Sequence, residues 1–182
     1  MNTKKLTKLA VLAAISIVLV AVIHLPIFPA VSFLEYDPAD IPIMLGTFAL
    51  GPAAGLALTF VVSLIQGLTV SAASSWYGIV MHLVSTGALT LVSGIIYKKE
   101  KTKKRAIMAL VCGTLTMVIV MIPANLFLTP VYLQMVGLPA ELALSTVKSL
   151  LGWIIAFNAF KAGLNSVVTF LVYKRVSGIL HK

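Results

Sequence analysis

The chain has 182 residues, of which 60% are hydrophobic and only 10% are charged. Soluble domains contain about 45–50% apolar and about 25% charged residues, so this composition excludes a soluble fold and indicates a polytopic membrane protein. The formal net charge of +9 could suggest nucleic acid as a partner. The basic residues, however, fall in short clusters beside apolar runs, which membrane topology explains better.

Apolar runs separated by turn and charge signals predict an all-α bundle of six transmembrane helices, forming a single membrane domain over residues 1–182. The predicted helices cover about 6–28, 41–50, 52–71, 77–97, 106–128 and 147–173. Gly51-Pro52 separates the second helix from the third, because proline is tolerated at a helix start but not in its interior. The short second helix cannot cross a bilayer alone, so we expect it to be packed within the bundle.

Three basic clusters test this topology. They precede the first predicted helix, follow the fourth and follow the sixth: Lys4, Lys5 and Lys8; Lys98, Lys99, Lys101, Lys103, Lys104 and Arg105; Lys174, Arg175 and Lys182. With six spans all three clusters lie on one side of the membrane. The positive-inside rule makes that side cytoplasmic, which predicts cytoplasmic N- and C-termini.

Two long connections lie on the opposite side, over residues 29–40 and 129–146. We expect both to be structured, since loops of this length in compact proteins are usually functional. Asp40 is a predicted N-cap for the second helix, with Pro42 in its first turn.

The last apolar run contains a lysine far from either end. Lys161 is thirteen residues from Lys174, which is about 20 Å along a helix and too far for its ammonium to reach the interface. Asn158 and Asn165 share its helix face. A charge at this depth should face a protein interior or a wet cavity, which favours a ligand or ion site. The alternative is a structural lysine satisfied by backbone carbonyls.

A further amide, Asn125, follows Pro123 in the fifth predicted helix. If Asn125, Asn158 and Lys161 converge, they form a polar patch suited to a neutral, hydroxyl-rich ligand. Nearby aromatic residues could form an apolar wall for a flat ring, although aromatics near helix ends are more often interface anchors. These aromatic residues are Trp76, Phe127, Trp153, Phe157 and Phe160.

The sequence carries no enzyme or metal-site motif: it has no HExxH, no GxSxG and no phosphate-binding loop. His24, His82 and His181 are isolated in sequence, and Asp37 and Asp40 fit turn and cap chemistry better than acid–base catalysis. We therefore expect no catalytic residue, metal or cofactor. Because every Asp and Glu falls in a predicted loop, ion coupling through intramembrane acids is not expected, which favours an external motor for any active transport.

The first predicted helix offers a surface for another helix. Ala10 and Ala14 are spaced i, i+4, and small residues at that spacing allow close helix approach. Packing against a neighbour within the same chain would explain this spacing nearly as well.

The segment Leu34-Glu-Tyr-Asp-Pro-Ala-Asp-Ile-Pro, continuing to Gly55, resembles the first-loop and second-helix signature of riboflavin-binding S components of energy-coupling factor (ECF) transporters. The resemblance extends along the chain. It includes Ala10-x-x-x-Ala14, the basic loop after Tyr97, Pro-Ala-Asn125, and Phe-Asn158-x-x-Lys161 with Asn165.

This resemblance implies a multi-pass cell-membrane protein that captures riboflavin from outside. The protein would deliver the vitamin by toppling on a transmembrane coupling protein driven by two cytoplasmic ATPases. The resemblance assigns vitamin contacts to Asn125, Asn158 and Lys161, a lid to Leu34, Glu35, Tyr36 and Asp37, and the coupling-subunit surface to Ala10 and Ala14. Asn165 and Gln66 are further candidates for ligand binding.

Riboflavin would be a transported ligand rather than a cofactor, and binding of flavin mononucleotide (FMN) remains open because Lys161 could accept a phosphate. Three alternatives also remain: an S component for another vitamin, a gradient-driven permease and a small membrane enzyme.

Overall fold

The computed structural model describes residues 3–180, so His181 and Lys182 lie outside the described part. The predicted all-α fold with six helices is confirmed. The helices are α1 (Thr3–Val22), α2 (Asp40–Leu50), α3 (Pro52–Leu68), α4 (Ser75–Lys99), α5 (Lys103–Met135) and α6 (Ala140–Leu180). Four of them, α1, α4, α5 and α6, are long and apolar enough to cross a membrane, whereas α2 and α3 are shorter apolar helices.

The break between α2 and α3 occurs at Gly51, as predicted. Gly51 has a φ of 97°, and its amide donates to the carbonyl of Thr47 over 2.9 Å. This left-handed conformation suits glycine. Pro52 then starts α3, at a position where the backbone amide has no acceptor within the helix, so the amide that proline lacks costs no hydrogen bond. Nine of the eleven residues of α2 are buried, so this short helix lies inside the bundle as expected.

Aromatic packing fills the end of the bundle that lies near the basic clusters. The Phe48 ring of α2 stacks on Tyr97 of α4 with a centroid distance of 4.2 Å and meets Tyr173 of α6 edge-on at 5.4 Å. These rings close that end of the core with apolar contacts. The opposite end is lined by more polar side chains and holds the cavity described below.

Helices α5 and α6 are longer than predicted. Residues 129–146, expected to form an outer loop, are helical except for a short turn at 136–139. Pro130, which falls in the segment predicted to be a loop, lies buried inside α5. Membrane helices tolerate internal proline because neighbouring groups compensate for the missing amide. Helix α5, with 33 residues, is about 50 Å long and exceeds the bilayer core of about 30 Å.

The connection between α1 and α2 is structured. It contains a short 3₁₀ helix at Pro29–Val31 and an antiparallel backbone pair in which Leu25 and Tyr36 exchange two hydrogen bonds of 2.8 and 2.9 Å. The predicted N-cap at Asp40 is wrong. Ala39 occupies that position without a side-chain cap, and the Asp40 carboxylate, one residue later, is turned into the bundle.

Candidate functional site

A cavity of about 430 Å³ lies at the end of the bundle away from the basic clusters. This volume falls in the range of about 300–1,000 Å³ typical of small-molecule pockets. Side chains from the α1–α2 connection, α3, α4, α5 and α6 line it. Among the candidate ligand-binding residues, the structure brings six to the cavity wall: Leu34, Glu35, Asp37, Gln66, Asn158 and Lys161.

Lys161 is paired with a carboxylate from the α1–α2 connection. Its ammonium donates to Asp37 Oδ2 over 2.6 Å, and both residues are buried. The other carboxylate oxygen, Oδ1, accepts a bond from the backbone amide of Ala39 over 3.0 Å. The partner of Lys161 is thus a charged side chain rather than a set of backbone carbonyls. The pair attaches the connection to α6 at the cavity wall.

Asn165 lies one turn further along α6 and behind the cavity wall. Its amide nitrogen donates to the Asp37 carbonyl and to Asp40 Oδ2, each over 3.1 Å, and its Oδ1 accepts from the Tyr36 hydroxyl over 3.0 Å. Partial burial, reinforced by the Asp37 charge, raises the pKa of the Tyr36 hydroxyl, which keeps it protonated as a donor at neutral pH. Neither Asn165 nor Tyr36 lines the cavity; both hold Asp37 and Asp40 in place.

Asp40 belongs to a second polar chain that the sequence did not indicate. Its Oδ1 accepts from the Thr86 hydroxyl over 2.7 Å and lies 3.4 Å from His82 Nε2, while His82 Nδ1 lies 2.7 Å from Ser63 Oγ. His82 and Ser63 line the cavity. His82, predicted to be isolated, therefore connects α2, α3 and α4.

These contacts correct the expectation that the membrane interior of the bundle contains no acids. Asp37 is 3% exposed and Asp40 is fully buried, so both carboxylates lie within the bundle rather than in solvent. Buried charges must be paired or hydrogen-bonded, and each of these is. Among the described residues, no group of three histidine, cysteine, aspartate or glutamate side chains could hold a metal ion.

Gln66 provides an unused hydrogen-bond acceptor at the cavity. Its Oε1 is buried and has no hydrogen-bond partner among the described residues, and the residue lines the wall near the end of α3. Leaving such a group unpaired costs about 1–3 kcal/mol. A bound molecule that donates a hydrogen bond there would satisfy it.

Asn125 does not line the cavity. Its amide nitrogen donates to the Met121 carbonyl over 2.8 Å, and its Oδ1 accepts from the Thr129 hydroxyl over 3.1 Å. The Thr129 hydroxyl lies 2.8 Å from that of Tyr77, which does line the cavity. Asn125 thus supports the wall through Thr129 and Tyr77.

The predicted aromatic wall is only partly present. Phe157 is buried and lines the cavity. The others, Trp76, Phe127, Trp153 and Phe160, expose between 37% and 74% of their surface, as expected for side chains that face lipid or the interface. Tyr77 and Tyr132, stacked with centroids 4.4 Å apart, supply additional aromatic surface that sequence reasoning missed.

The α1–α2 connection lines part of the cavity and is anchored by Phe28. The ring of Phe28 makes edge-on contacts with Trp153, Phe157 and Phe160 of α6 at centroid distances of 5.8–6.3 Å. Val31 is fully buried in the same cluster. Apolar packing and the Asp37–Lys161 pair thus hold the connection on α6.

Ala10 and Ala14 lie on the outside of the bundle. Both are exposed, whereas Ala13 is buried. The spacing of the two exposed alanines therefore does not serve packing within this chain.

The family described as "ECF transporter, substrate-specific component" matches residues 4–173. The "Riboflavin transporter RibU" of Staphylococcus aureus is 30% identical over 183 residues, covering 100% of this chain and 94% of the relative. RibU of Streptococcus thermophilus is 26% identical, covering 100% and 86%. A solved S component of a bacterial ECF transporter superposes with a TM-score of 0.80 at 28% identity, covering 100% of both chains.

Proposed function

Since the chain belongs to the substrate-specific (S) components of ECF transporters, which are multi-pass membrane proteins and not enzymes, we propose that it binds riboflavin in the 430 Å³ cavity. The observation that carries this proposal is the cavity chemistry. Aromatic and apolar side chains such as Phe157 and Met121 share its wall with polar and charged groups such as Gln66, Asn158 and Lys161. The full-length relatives named riboflavin transporters support the same ligand.

The two parts of riboflavin match two parts of the wall. The isoalloxazine ring system has a flat apolar body, for which Phe157 and Tyr77 offer packing surface, and an imide N–H, for which Gln66 Oε1 is a buried acceptor. The ribityl hydroxyls require donors and acceptors such as the Asn158 amide and the Lys161 ammonium. Asn125, Asn165 and Tyr36 would act indirectly by fixing these walls.

The charges at the cavity favour riboflavin over FMN. Glu35 and Asp37 both line it, and Asp37 already neutralises Lys161. A phosphate would add about two negative charges beside these carboxylates, whereas the neutral ribityl chain adds none. We therefore propose the unphosphorylated vitamin, rather than FMN, as the ligand.

The proposed topology has six spans and cytoplasmic termini. The basic residues at the start of α1, between α4 and α5 and at the end of α6 then share the cytoplasmic side. The cavity opens toward the opposite, extracellular side, where riboflavin is captured. The α1–α2 connection, including Leu34, Glu35 and Asp37, acts as the lid.

The proposed partners are a transmembrane coupling protein and two cytoplasmic ATPases. The exposed Ala10 and Ala14 provide a flat surface on α1 where a helix of the coupling protein can approach closely. In this scheme the chain itself captures the vitamin, and the energy for its release to the inside comes from the ATPases.

Titration of the purified protein with riboflavin, followed by quenching of flavin fluorescence, tests the site. Lys161→Ala removes the cavity ammonium and leaves Asp37 buried without its partner, so we expect affinity to fall at least about tenfold. Lys148→Ala is the matched control, because Lys148 is an exposed lysine of the same helix, and its affinity should equal that of the wild type.

Equal effects of the two alanine substitutions would contradict the placement of riboflavin at Lys161. FMN, titrated in the same way, should bind the wild type more weakly than riboflavin. Binding of a different vitamin, with no binding of riboflavin, would instead favour an S component of other specificity.

A further inference from the structure

A second cavity, a groove of about 400 Å³, lies between α5 and α6, outside the riboflavin site. Its lining is formed by Ile107, Leu110, Val111, Thr114, Leu115, Gly163, Ser166, Val167, Phe170 and Leu171. The lining residues of α5 run from Ile107 to Leu115, a rise of about 12 Å along the helix. The groove therefore has the elongated shape of an acyl chain rather than that of a compact solute.

The two polar residues of the groove do not present free hydrogen-bonding groups. The hydroxyls of Thr114 and Ser166 lie 3.0 Å apart and bond to one another across the groove floor. The remaining lining is aliphatic or aromatic, so the groove offers an apolar surface to the bilayer. An apolar chain can enter without leaving these hydroxyls unpaired.

Positive charge lies at one end of the groove. Lys103 is one turn before Ile107 on the same face of α5, and Lys174 is one turn after Phe170 on the same face of α6. The Lys174 ammonium lies 5.5 Å from the centroid of the Phe170 ring, which itself lines the groove. Both lysines are exposed.

The acidic residue nearest to Lys103 in sequence is Glu100, and it does not neutralise the lysine end of the groove. Glu100 is bound by Arg105, with Nε 3.1 Å from Oε2. Among the described side chains, neither Lys103 nor Lys174 forms a salt bridge. The groove thus joins an apolar channel to a pair of cationic groups, which is the arrangement that suits a lipid with an anionic headgroup.

We propose that this groove binds one anionic phospholipid, with an acyl chain between α5 and α6 and the phosphate beside Lys103 and Lys174. The lipid would belong to the cytoplasmic leaflet, a placement that rests on the proposed topology. It would occupy a site separate from the riboflavin cavity and could be bound in the absence of the vitamin.

Native mass spectrometry of the full chain in detergent, with equal amounts of dioleoylphosphatidylglycerol and dioleoylphosphatidylcholine and no riboflavin, tests the proposal. The wild type should retain phosphatidylglycerol in preference to phosphatidylcholine. The double substitution Lys103→Gln/Lys174→Gln should reduce that preference by more than about tenfold. The control Lys98→Gln/Lys99→Gln, which removes the same charge from the neighbouring end of α4, should change it less than about threefold.

A second pair of variants tests the groove itself. A side chain at Gly163 or at Gly152 would meet no neighbouring atom within 4 Å at its Cβ, so both glycines of α6 accept substitution, but only Gly163 lines the groove. Gly163→Leu should lower phosphatidylglycerol retention about tenfold, whereas Gly152→Leu should not.

Equal retention by the two leucine variants, or equal losses in the two glutamine pairs, would overturn the proposal in favour of diffuse attraction to the basic surface. Because the measurement contains no riboflavin, its outcome is independent of the vitamin assignment. Circular dichroism of each variant confirms that it is folded.

Discussion

Asp40 accepts hydrogen bonds from Thr86 and Asn165, although the residue is fully buried. With Asp37 and Lys161 it forms a polar network in the interior of a protein whose composition is mostly apolar. Such a network is stable only if each member is satisfied, because an unpaired buried group loses its hydration without compensation. The residues that support the cavity therefore depend on one another.

Asp40→Ala tests this dependence. The substitution leaves the Thr86 hydroxyl and one bond of Asn165 unmet and removes the acid beside His82. We expect it to destabilise the protein by about 2–5 kcal/mol. In thermal unfolding, followed by intrinsic fluorescence in detergent, its Tm should fall by at least about 5 °C.

Glu100→Ala is the control for Asp40→Ala. Glu100 pairs with Arg105 at the surface, with both side chains more than a third exposed, and such pairs contribute about 0–1 kcal/mol. Its Tm should stay near that of the wild type. A smaller shift for Asp40→Ala than for Glu100→Ala would show that the buried network does not stabilise the fold.

At this scale the sequence predicted the depth of Lys161 but not its partner. Lys161 could be identified because it lies far from either end of a long apolar run, a local property. Asp37 is 124 residues away in sequence, and within its own segment it looks like ordinary turn chemistry. Only the packing of the α1–α2 connection on α6 brings the two together.

At the scale of helices, the boundaries set by charge and by Gly51-Pro52 could be predicted, whereas the continuation of α5 through Pro130 could not. Gly51 adopts a positive φ, which ends α2 whatever surrounds it. Pro130 is buried in a continuous α5, because the neighbouring helices support a turn that proline alone would weaken. Tertiary packing therefore decided the extent of α5 and α6.

Helix α1 allows a test of the proposed contact with the coupling protein. Ala14→Trp places a large ring on the exposed small-residue face and should reduce co-purification with the coupling module at least about tenfold, because the helices can no longer approach closely. Riboflavin binding by the isolated chain should remain unchanged, since Ala14 does not line the cavity.

Ile15→Trp is the matched control for Ala14→Trp. Ile15 is also exposed on α1 but points to a different side of the helix. It should leave co-purification intact. If both tryptophan variants assemble equally well, the partner contacts another surface.

At the scale of the whole molecule, the cavity accounts for the proposed binding of a ligand, whereas accumulation of that ligand also needs a source of energy. The expectation of an external motor first rested on the lack of intramembrane acids, and the buried Asp37 and Asp40 remove that reason. Asp37 is held by its ion pair with Lys161, and Asp40 is held by hydrogen bonds from Thr86 and Asn165. Membership of the ECF family now supports dependence on an energising module.

Uptake of labelled riboflavin into cells that contain this chain and its module should therefore continue when ionophores collapse the ion gradients, provided that ATP is maintained. It should stop when ATP is depleted. The opposite pattern, loss with the gradients at constant ATP, would identify a gradient-driven permease.

The most direct test of the central claim is to identify the small molecule that co-purifies with the chain. The protein is expressed in cells grown with riboflavin, purified in detergent, denatured, and its ligand analysed by absorption and mass spectrometry. Our account predicts a yellow preparation that releases unmodified riboflavin at about one molecule per chain. Folded protein that carries another vitamin, or that neither carries nor takes up riboflavin, would contradict it.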